Sequence, residues 1–179
     1  TDEKIIIPRK SALELQKLLN LYPENVNISF NSNQLKVFSE DYTFISKLIE
    51  GSYPDYEKVF PKGTEQKLKA NKSLIQTALN RAAVLSNEKY RGVKFILDQD
   101  NLKICANNPS KESAEEEVLV EYTGDSYEIG FNISYVQDSL SVIQNNEVEF
   151  VFFGSENSCL VKNIDDESLI HVIMPMRLW

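Results

Sequence analysis

The sequence Leu68-Lys69-Ala70-Asn71-Lys72-Ser73 passes from an apolar strand pattern into a polar corner, and a helical pattern of about three turns follows it. Residues 4–11 and 128–134 repeat this passage, so helices are predicted over residues 12–21, 74–85 and 135–143. The corner serines of the three copies are 62 and 61 residues apart: Ser11, Ser73 and Ser134. A repeat of this period indicates a duplicated unit of secondary structure, and it decides the fold.

Strand patterns follow each predicted helix, in alternating or continuous apolar form. The predicted strands are residues 26–30, 34–38 and 42–49, then 93–97, 102–106 and 117–122, then 148–153, 158–161 and 169–174. Turns as short as Asn31-Ser32-Asn33 require antiparallel neighbours. Asn and Ser at the corners are suited to capping the helices that follow. The predicted class is α+β, built from strand–helix–antiparallel-strand units with the helices on one side of the sheets.

Composition limits the kinds of protein that this chain can be. Its 179 residues, 42% of them hydrophobic, are enough for one large domain or one and a half small ones. A formal charge of −8 is unlike that of proteins that grip DNA phosphates tightly, so any DNA contact is expected to be light and local. No run reaches the length of a membrane span, and no signal peptide precedes the first strand pattern, so a cytoplasmic protein is expected.

The cysteines and the histidine give no sign of a metal or cofactor. Cys105 and Cys159 lie far apart in apolar strand patterns, which predicts reduced core residues in a cytosolic protein. With one histidine and no Cys-x-x-Cys pair, no zinc site is predicted. No phosphate-cradling glycine loop is present either, so we expect no cofactor.

The repeats also suggest the domain organisation. Copies two and three follow each other closely and are predicted to form one domain over residues 63–179, whereas residues 1–50 have no mate in this chain. Residues 51–62 form the linker, which holds two prolines and three aromatic residues. That composition is too apolar for a floppy tether and favours a segment lying along a domain interface.

The last nine residues, His171-Val172-Ile173-Met174-Pro175-Met176-Arg177-Leu178-Trp179, begin as an apolar strand and then reach a proline between two methionines. One interpretation is a final strand that seals the core. The other is a strand end that forms the floor of a peptide-binding groove, because flexible methionines suit surfaces that accept several partners. The residues alone leave both interpretations open.

Five stretches, in order along the chain, resemble one protein family. They are residues 47–56, residues 81–93, Ala106-Asn107-Asn108-Pro109, Gly130-Phe131-Asn132-Ile133-Ser134-Tyr135, and Met174-Pro175-Met176-Arg177-Leu178. In these stretches the chain resembles the C-terminal half of the bacterial DNA sliding clamp, the β subunit of DNA polymerase III. The resemblance implies the DNA-clamp fold, in which each subunit has three similar domains of two repeats. Residues 1–50 would then be the second half of the middle domain, 51–62 the linker and 63–179 the C-terminal domain.

The resemblance also implies a function without catalysis. In that family two subunits close a ring around double-stranded DNA, with helices lining the hole, and the ring serves as the processivity factor of the replicative polymerase. Partners dock short linear motifs into a groove between the second and third domains. The implied partners are double-stranded DNA, the DNA polymerase III alpha subunit, the clamp loader, other proteins with clamp-binding motifs, and a second copy of the full-length subunit, with no membrane.

Positions that match the family's groove lie in the linker, at helix corners and in the last strands: Pro54, Lys58, Val59, Tyr90, Asn132, Tyr135, Ser158, Val172, Ile173, Met174, Pro175, Met176, Arg177 and Leu178. Glu156, expected on the same strand as Ser158, would add a charge at the groove mouth. Apolar walls with an aromatic rim and a few polar anchors are typical of peptide sites. Trp179 extends past the family's usual terminal Leu.

Two further surfaces follow from the same resemblance. The ring-closing interface is expected at Val84 and Leu85, next to an acidic run on or beside an edge strand: Glu112, Glu115, Glu116 and Glu117. Light DNA contact is expected from basic residues of the first two helices: Arg9, Lys10, Lys17, Lys72 and Arg81. Ordinary solvated surface charges are the other interpretation of both groups.

Two other functions are alternatives to this one. An enzyme could use His171 as a base beside Asp165 or Asp166, but there is no G-x-S-x-G elbow, and a histidine on an apolar strand is usually a structural residue. A non-replicative α+β peptide-binding module is the second alternative.

Overall fold

The computed structural model describes residues 4–22, 25–164 and 166–178, and it divides into two compact units, Thr1–Asp55 and Tyr56–Trp179. In its described part the first unit consists of helix α1 (Arg9–Leu21) and strands β1 (Asn27–Phe30), β2 (Gln34–Phe38) and β3 (Thr43–Lys47). The strands form an antiparallel sheet in the order β1-β2-β3. Leu35 and Val37 are buried because alternate residues of β2 face the same side.

The apolar stretch before α1 was expected to be a strand, and this prediction is wrong. Residues 4–8 are irregular, although Ile49 N–H donates to the carbonyl of Ile6 at 3.0 Å. A strand needs a neighbouring ladder for its backbone groups. The two later copies obtain that ladder from each other, as shown below, whereas the first unit contains a single copy.

The second unit begins with a 3-10 turn, Tyr56–Val59, and strand β4 (Gln66–Asn71), which leads into helix α2 (Lys72–Val84). Four strands follow: β5 (Gly92–Asp98), β6 (Asn101–Asn107), β7 (Ser113–Leu119) and β8 (Glu121–Tyr122). The last copy comprises β9 (Tyr127–Asn132), α3 (Ile133–Val142), β10 (Glu147–Phe152), β11 (Cys159–Asn163) and β12 (Asp166–Ile173). The three helices were predicted to within about three residues at each end.

These strands pair antiparallel in two sheets, ordered β12-β11-β10-β4-β8 and β7-β6-β5-β9 in the described part of the chain. Strand β4 leads the second copy but pairs with β10 of the third, from Asn71 opposite Glu147 to Gln66 opposite Phe152. Strand β9 leads the third copy but pairs with β5 of the second. Each copy therefore contributes its first strand to the sheet of the other, and the predicted α+β class with antiparallel strands is confirmed.

The core of the second unit is aromatic and aliphatic, and it involves both sheets and the buried faces of α2 and α3. The Phe95 ring lies 5.4 Å from that of Phe131 and 6.3 Å from that of Phe150, centroid to centroid, in edge-on arrangements that add to the burial energy. Cys159 is also buried, and burial raises the pKa of its thiol. Both cysteines are free thiols, but Cys105 is only partly buried and does not belong to the core, contrary to the prediction for it, because it lies on the outer face of β6.

Asparagines cap two of the helices, as their corners predict. Asn71 Oδ1 accepts from the backbone N–H groups of Ser73 and Leu74, and Asn132 Oδ1 accepts from Ser134 N–H. A cap at the first corner was also expected, and that expectation is wrong. Helix α1 follows Pro8, which has no side-chain acceptor, and Ser11 is the third residue of the helix.

The predicted strand over residues 117–122 is two strands in different sheets. Strand β7 begins at Ser113 and ends at Leu119, and β8 starts at Glu121. Between them Val120 N–H donates to the carbonyl of Asp100, and Asp100 N–H donates to that of Tyr122. These bonds hold the chain where it crosses from one sheet to the other. Among the described residues, no helix is both long and apolar enough to span a membrane.

Candidate peptide-binding site

The C-terminal tail, here residues 174–178, leaves the sheet at the end of β12. Pro175 has no N–H for a ladder bond, so the strand stops before it. Ile173 is 5% exposed and belongs to the core, so it supports the strand from beneath and does not line a surface, contrary to its assignment to the groove wall. Met174 is 64% exposed, while Met176 and Leu178 are half-buried.

The tail is held by the outer strand β9. Met176 N–H donates to the carbonyl of Gly130 at 2.7 Å. The Leu178 side chain lies over Gly92 of β5, which pairs with Asn132 of β9. The tail therefore reaches the end of β9 at which α3 begins.

Three of the predicted groove residues meet at that corner. Asn132 caps α3 through its Oδ1, and its Nδ2 donates to the carbonyl of Tyr90 at 3.4 Å. Tyr90 and Tyr135 are 49% and 62% exposed. Asn87 fixes the Tyr90 backbone, since its Oδ1 accepts from the N–H groups of Lys89 and Tyr90. Exposed aromatic side chains near a fixed polar side chain are suited to anchoring an apolar peptide.

A cleft of about 570 Å³ lies on another flank of the tail. It is lined by Lys94, Glu128, Ile129, Gly130, Ser155, Glu156, Pro175, Met176, Arg177 and Leu178. Lys94 and Glu128 form an ion pair at 2.9 Å, whereas Arg177 and Glu156 approach only to 3.8 Å and are both highly exposed. The cleft shares the tail with the predicted groove, but Tyr90, Asn132 and Tyr135 do not line it.

The remaining predicted groove positions are spread over several elements. Glu156 lies in the turn between β10 and β11, not on the strand, because Gly154 at φ +98° and an Asn157 Nδ2–Phe153 carbonyl bond of 2.6 Å reverse the chain there. Ser158 immediately precedes β11, and Val172 pairs with Leu160. Lys58 and Val59 lie in the 3-10 turn, Pro54 belongs to the first unit, and Trp179 lies outside the described residues.

The candidate interface residues lie at the end of α2 and along β7, which is an edge strand as expected. Val84 is 78% exposed, whereas Leu85 is half-buried. Glu115 and Glu117 flank Lys103, and the hydrogen bond to Glu115, together with its charge, raises the pKa of that lysine. Two other members of the acidic run have local partners: Glu116 pairs with Arg81, and Glu112 closes a turn with Asn108.

The candidate DNA-facing cations differ in their surroundings. Arg9 and Lys10 are exposed in the first turn of α1. The other three have partners within the chain: Lys17 pairs with Glu14, Arg81 pairs with Glu116, and the Lys72 ammonium donates to the carbonyl of Ile143. The carboxylates offset the charge that Lys17 and Arg81 can offer to phosphates, and the carbonyl of Ile143 holds the Lys72 ammonium against the chain.

His171 pairs across the sheet with Val161. Its Nε2 is buried without a hydrogen-bond partner among the described residues, and burial lowers the pKa of the imidazole. Asp165, one of the two carboxylates considered for it, lies outside the described residues. A half-buried strand histidine of this kind fits the structural interpretation.

Comparison with known proteins identifies the family. The family model for the C-terminal domain of the DNA polymerase III beta subunit matches residues 57–177, and the model for its central domain matches residues 1–55. This chain belongs to the DNA polymerase III beta-subunit family. The Beta sliding clamp of Pseudomonas aeruginosa is 44% identical over 175 residues, which are 98% of this chain and 48% of that protein.

Solved structures of sliding clamps have the same fold as this chain. A DNA polymerase III beta subunit from Pseudomonas aeruginosa matches with a TM-score of 0.92 and 43% identity, over 98% of this chain and 48% of that one. A sliding clamp of the same organism bound to griselimycin matches with a TM-score of 0.89 and 44% identity, over 97% of this chain and 47% of that one. The chain thus spans about half the length of the sliding clamps that it matches.

Sequence reasoning overlooked two features of this clamp-family chain. Gly92 and Gly130, under the tail, were not singled out, because an isolated glycine in a strand does not reveal what approaches it. Leu119, 82% exposed on β7, was also missed, although its place next to the acidic run and in a strand pattern could have flagged it.

Proposed function

We propose that this chain is the C-terminal portion of a sliding clamp, a non-catalytic processivity factor of the replicative DNA polymerase that works in the cytoplasm. The observation that carries the proposal is the tail. It leaves the core at Ile173, exposes Met174 and reaches the corner formed by Tyr90, Asn132 and Tyr135. The name of its relatives, Beta sliding clamp, supports this function over a peptide-binding module outside replication.

The proposed organisation is that residues 1–50 form the second half of a middle domain, residues 51–62 the linker and residues 63–179 the C-terminal domain. Its support is that the two compact units separate between Asp55 and Tyr56, inside the proposed linker. In the whole protein, two subunits would form a ring around double-stranded DNA. Val84, Leu85 and the acidic edge of β7 would contribute to ring closure.

DNA contact in this proposal is weak. Arg9 and Lys10 are exposed cations on α1, while Lys17, Lys72 and Arg81 already have partners in the chain. A formal charge of −8 opposes tight phosphate binding, and a ring held by its topology needs only low-affinity contacts in order to slide.

Partners of the proposed groove are the polymerase alpha subunit, the clamp loader and other proteins that carry clamp-binding motifs. A fluorescein-labelled short peptide of Gln, Leu and Phe residues serves as the probe, read by fluorescence polarisation and by the NMR signals of Tyr90, Tyr135 and Met176. Griselimycin, which is bound in a solved Pseudomonas aeruginosa clamp, serves as a competitor. We expect saturable binding, shifts at all three residues, and displacement by griselimycin.

A charge placed in the tail tests the location of the site. Met176→Lys puts an ammonium at a half-buried position over Gly92, so the peptide affinity should fall at least about thirtyfold while the melting temperature stays nearly unchanged. Leu119→Lys is the matched control, because it adds the same charge to an exposed apolar position on β7, at the edge of the four-stranded sheet opposite the strand that holds the tail. Equal affinity in wild type and Met176→Lys, or equal loss in both variants, would contradict the proposed groove.

A further inference from the structure

Two glycines lie side by side on the outer face of the four-stranded sheet. On β5 the side chains of Val93 and Phe95 face the core, so Gly92 faces outward. On β9 the buried Phe131 likewise leaves Gly130 facing outward. Gly92 pairs with Asn132 and Gly130 with Lys94, so the glycines lie diagonally across one ladder, and only the inward-facing Val93–Phe131 row separates their rows.

Backbone conformation does not explain these glycines. The glycines with positive φ among the described residues are Gly51, Gly63 and Gly154, and neither Gly92 nor Gly130 belongs to that group. Both therefore adopt strand conformations that any residue tolerates. In a strand a glycine weakens pairing unless something needs the space of the absent side chain.

The C-terminal tail occupies that space. A Cβ at Gly130 would collide with the backbone carbonyl oxygen of Met176 and would lie 2.7 Å from Leu178 Cγ. A Cβ at Gly92 would lie 2.5 Å from Leu178 Cδ2 and 3.7 Å from Met176 Sδ. The Met176 N–H, which belongs to the preceding peptide unit, donates to the Gly130 carbonyl and fixes the same segment.

We propose that Gly92 and Gly130 are positioning residues: they form a seat that holds the C-terminal tail in place and thereby sets the affinity of the peptide groove. The part about affinity rests on the function proposed above. The tail follows β12, which belongs to the five-stranded sheet, and the seat attaches it to the four-stranded one. A tail already held over the bare glycines spares an incoming peptide the entropic cost of ordering it.

The two glycines differ in a way that makes the seat testable. The nearest obstacle to a methyl group at Gly92 is the end of a flexible side chain, Leu178 Cδ2, so Leu178→Ala should relieve it. The obstacle at Gly130 includes the backbone of Met176, which Leu178→Ala leaves in place. Gly92→Ala is therefore expected to be rescued by Leu178→Ala, and Gly130→Ala is not.

The position of the tail is read first, without any ligand, by hydrogen exchange of the Met176 amide in the 179-residue chain. We expect this amide to be protected in wild type, to lose protection at least about tenfold in Gly92→Ala and Gly130→Ala, and to regain it in Gly92→Ala/Leu178→Ala. Ile96→Ala is the control, since Ile96 faces outward on the same strand but is not among the atoms close to the two glycines. Protection retained in Gly130→Ala, or lost equally in Ile96→Ala, would overturn the seat.

Peptide affinity is measured next on the same proteins. We expect Gly130→Ala to bind the fluorescein-labelled peptide at least roughly fivefold more weakly. Gly92→Ala/Leu178→Ala is compared with Leu178→Ala alone, and the two should bind equally. Lost amide protection with unchanged affinity would reduce the seat to a purely structural role and overturn its positioning role. If wild type does not bind the peptide at all, the proposed function fails, and the amide protection still decides whether the seat exists.

Discussion

Alanine variants of the two capping asparagines test whether peptide affinity depends on the corner at Tyr90 or on the stability of the whole unit. Asn132→Ala removes the acceptor for Ser134 N–H and the Nδ2 bond to the Tyr90 carbonyl. Loss of such a cap costs about 1 kcal/mol, which corresponds to a fall of about 4 °C in the melting temperature of a unit of this size. The substitution also removes the direct side-chain bond between the Tyr90 carbonyl and the start of α3, where Tyr135 lies, while the Ile133 N–H bond to the Arg91 carbonyl remains. We therefore expect the affinity for the labelled peptide to fall about five- to tenfold.

Asn71→Ala is the matched control in the preceding repeat. Asn71 Oδ1 accepts from Ser73 N–H at 3.0 Å, Leu74 N–H at 3.3 Å and the Ser73 hydroxyl at 2.6 Å, so its loss should cost at least as much stability as that of Asn132. Its peptide affinity should equal that of wild type, because none of these partners is a predicted groove residue.

The assay pairs urea denaturation with fluorescence polarisation on both variants. We expect Asn71→Ala to be at least as destabilised as Asn132→Ala. Only Asn132→Ala should bind the peptide more weakly than wild type. Equal weakening of binding in both variants would mean that general loosening, not the corner at Tyr90, governs the affinity. Unchanged binding in Asn132→Ala would remove this corner from the site.

Three further predictions concern the core, the histidine and the edge strand. Phe95→Ala should lower the free energy of unfolding by about 3–5 kcal/mol in urea, since Phe95 is fully buried against two other rings. Burial lowers the pKa of His171 from its ordinary 6.5, so the unfolded chain takes up the proton first as pH falls, and stability should decrease from about pH 6.5 downward. His171→Gln, which removes the chain's single histidine, should flatten this dependence in urea titrations between about pH 7.5 and 5.5, and an unchanged slope would contradict it. Leu119→Ser should change stability by less than about 0.5 kcal/mol because its side chain is exposed, whereas a loss above about 1 kcal/mol would show that it is packed in solution.

Local chemistry accounts for the parts of the fold that sequence reasoning predicted correctly. The helices and most strands are marked by periodicity, and the caps at Asn71 and Asn132 are marked by residue type directly before a helix. The division of residues 113–122 between two sheets was missed because it depends on bonds to Asp100, some twenty residues away in the chain. Residues 4–8 have a strand pattern but no ladder, which no local pattern can reveal.

The candidate site was also predicted in part. The proline between two methionines correctly marked where β12 ends and a surface segment begins. The burial of Ile173 follows from strand alternation, but which face of β12 meets the core is set by packing with the other sheet. The seat at Gly92 and Gly130 depends on contacts with residues far away in the sequence, so the residues around each glycine do not predict it.

The exchange of first strands between the two repeats makes them inseparable. Cleavage of the connection at residues 123–126 would leave β4 and β5 in the first fragment and β9 and β10 in the second. Strand β4 pairs with β10, and β5 pairs with β9, so two strand pairs would still join the fragments. Separating the fragments would break strand pairing in both sheets at the same time. The two fragments should therefore stay associated after cleavage, and neither repeat should remain folded by itself.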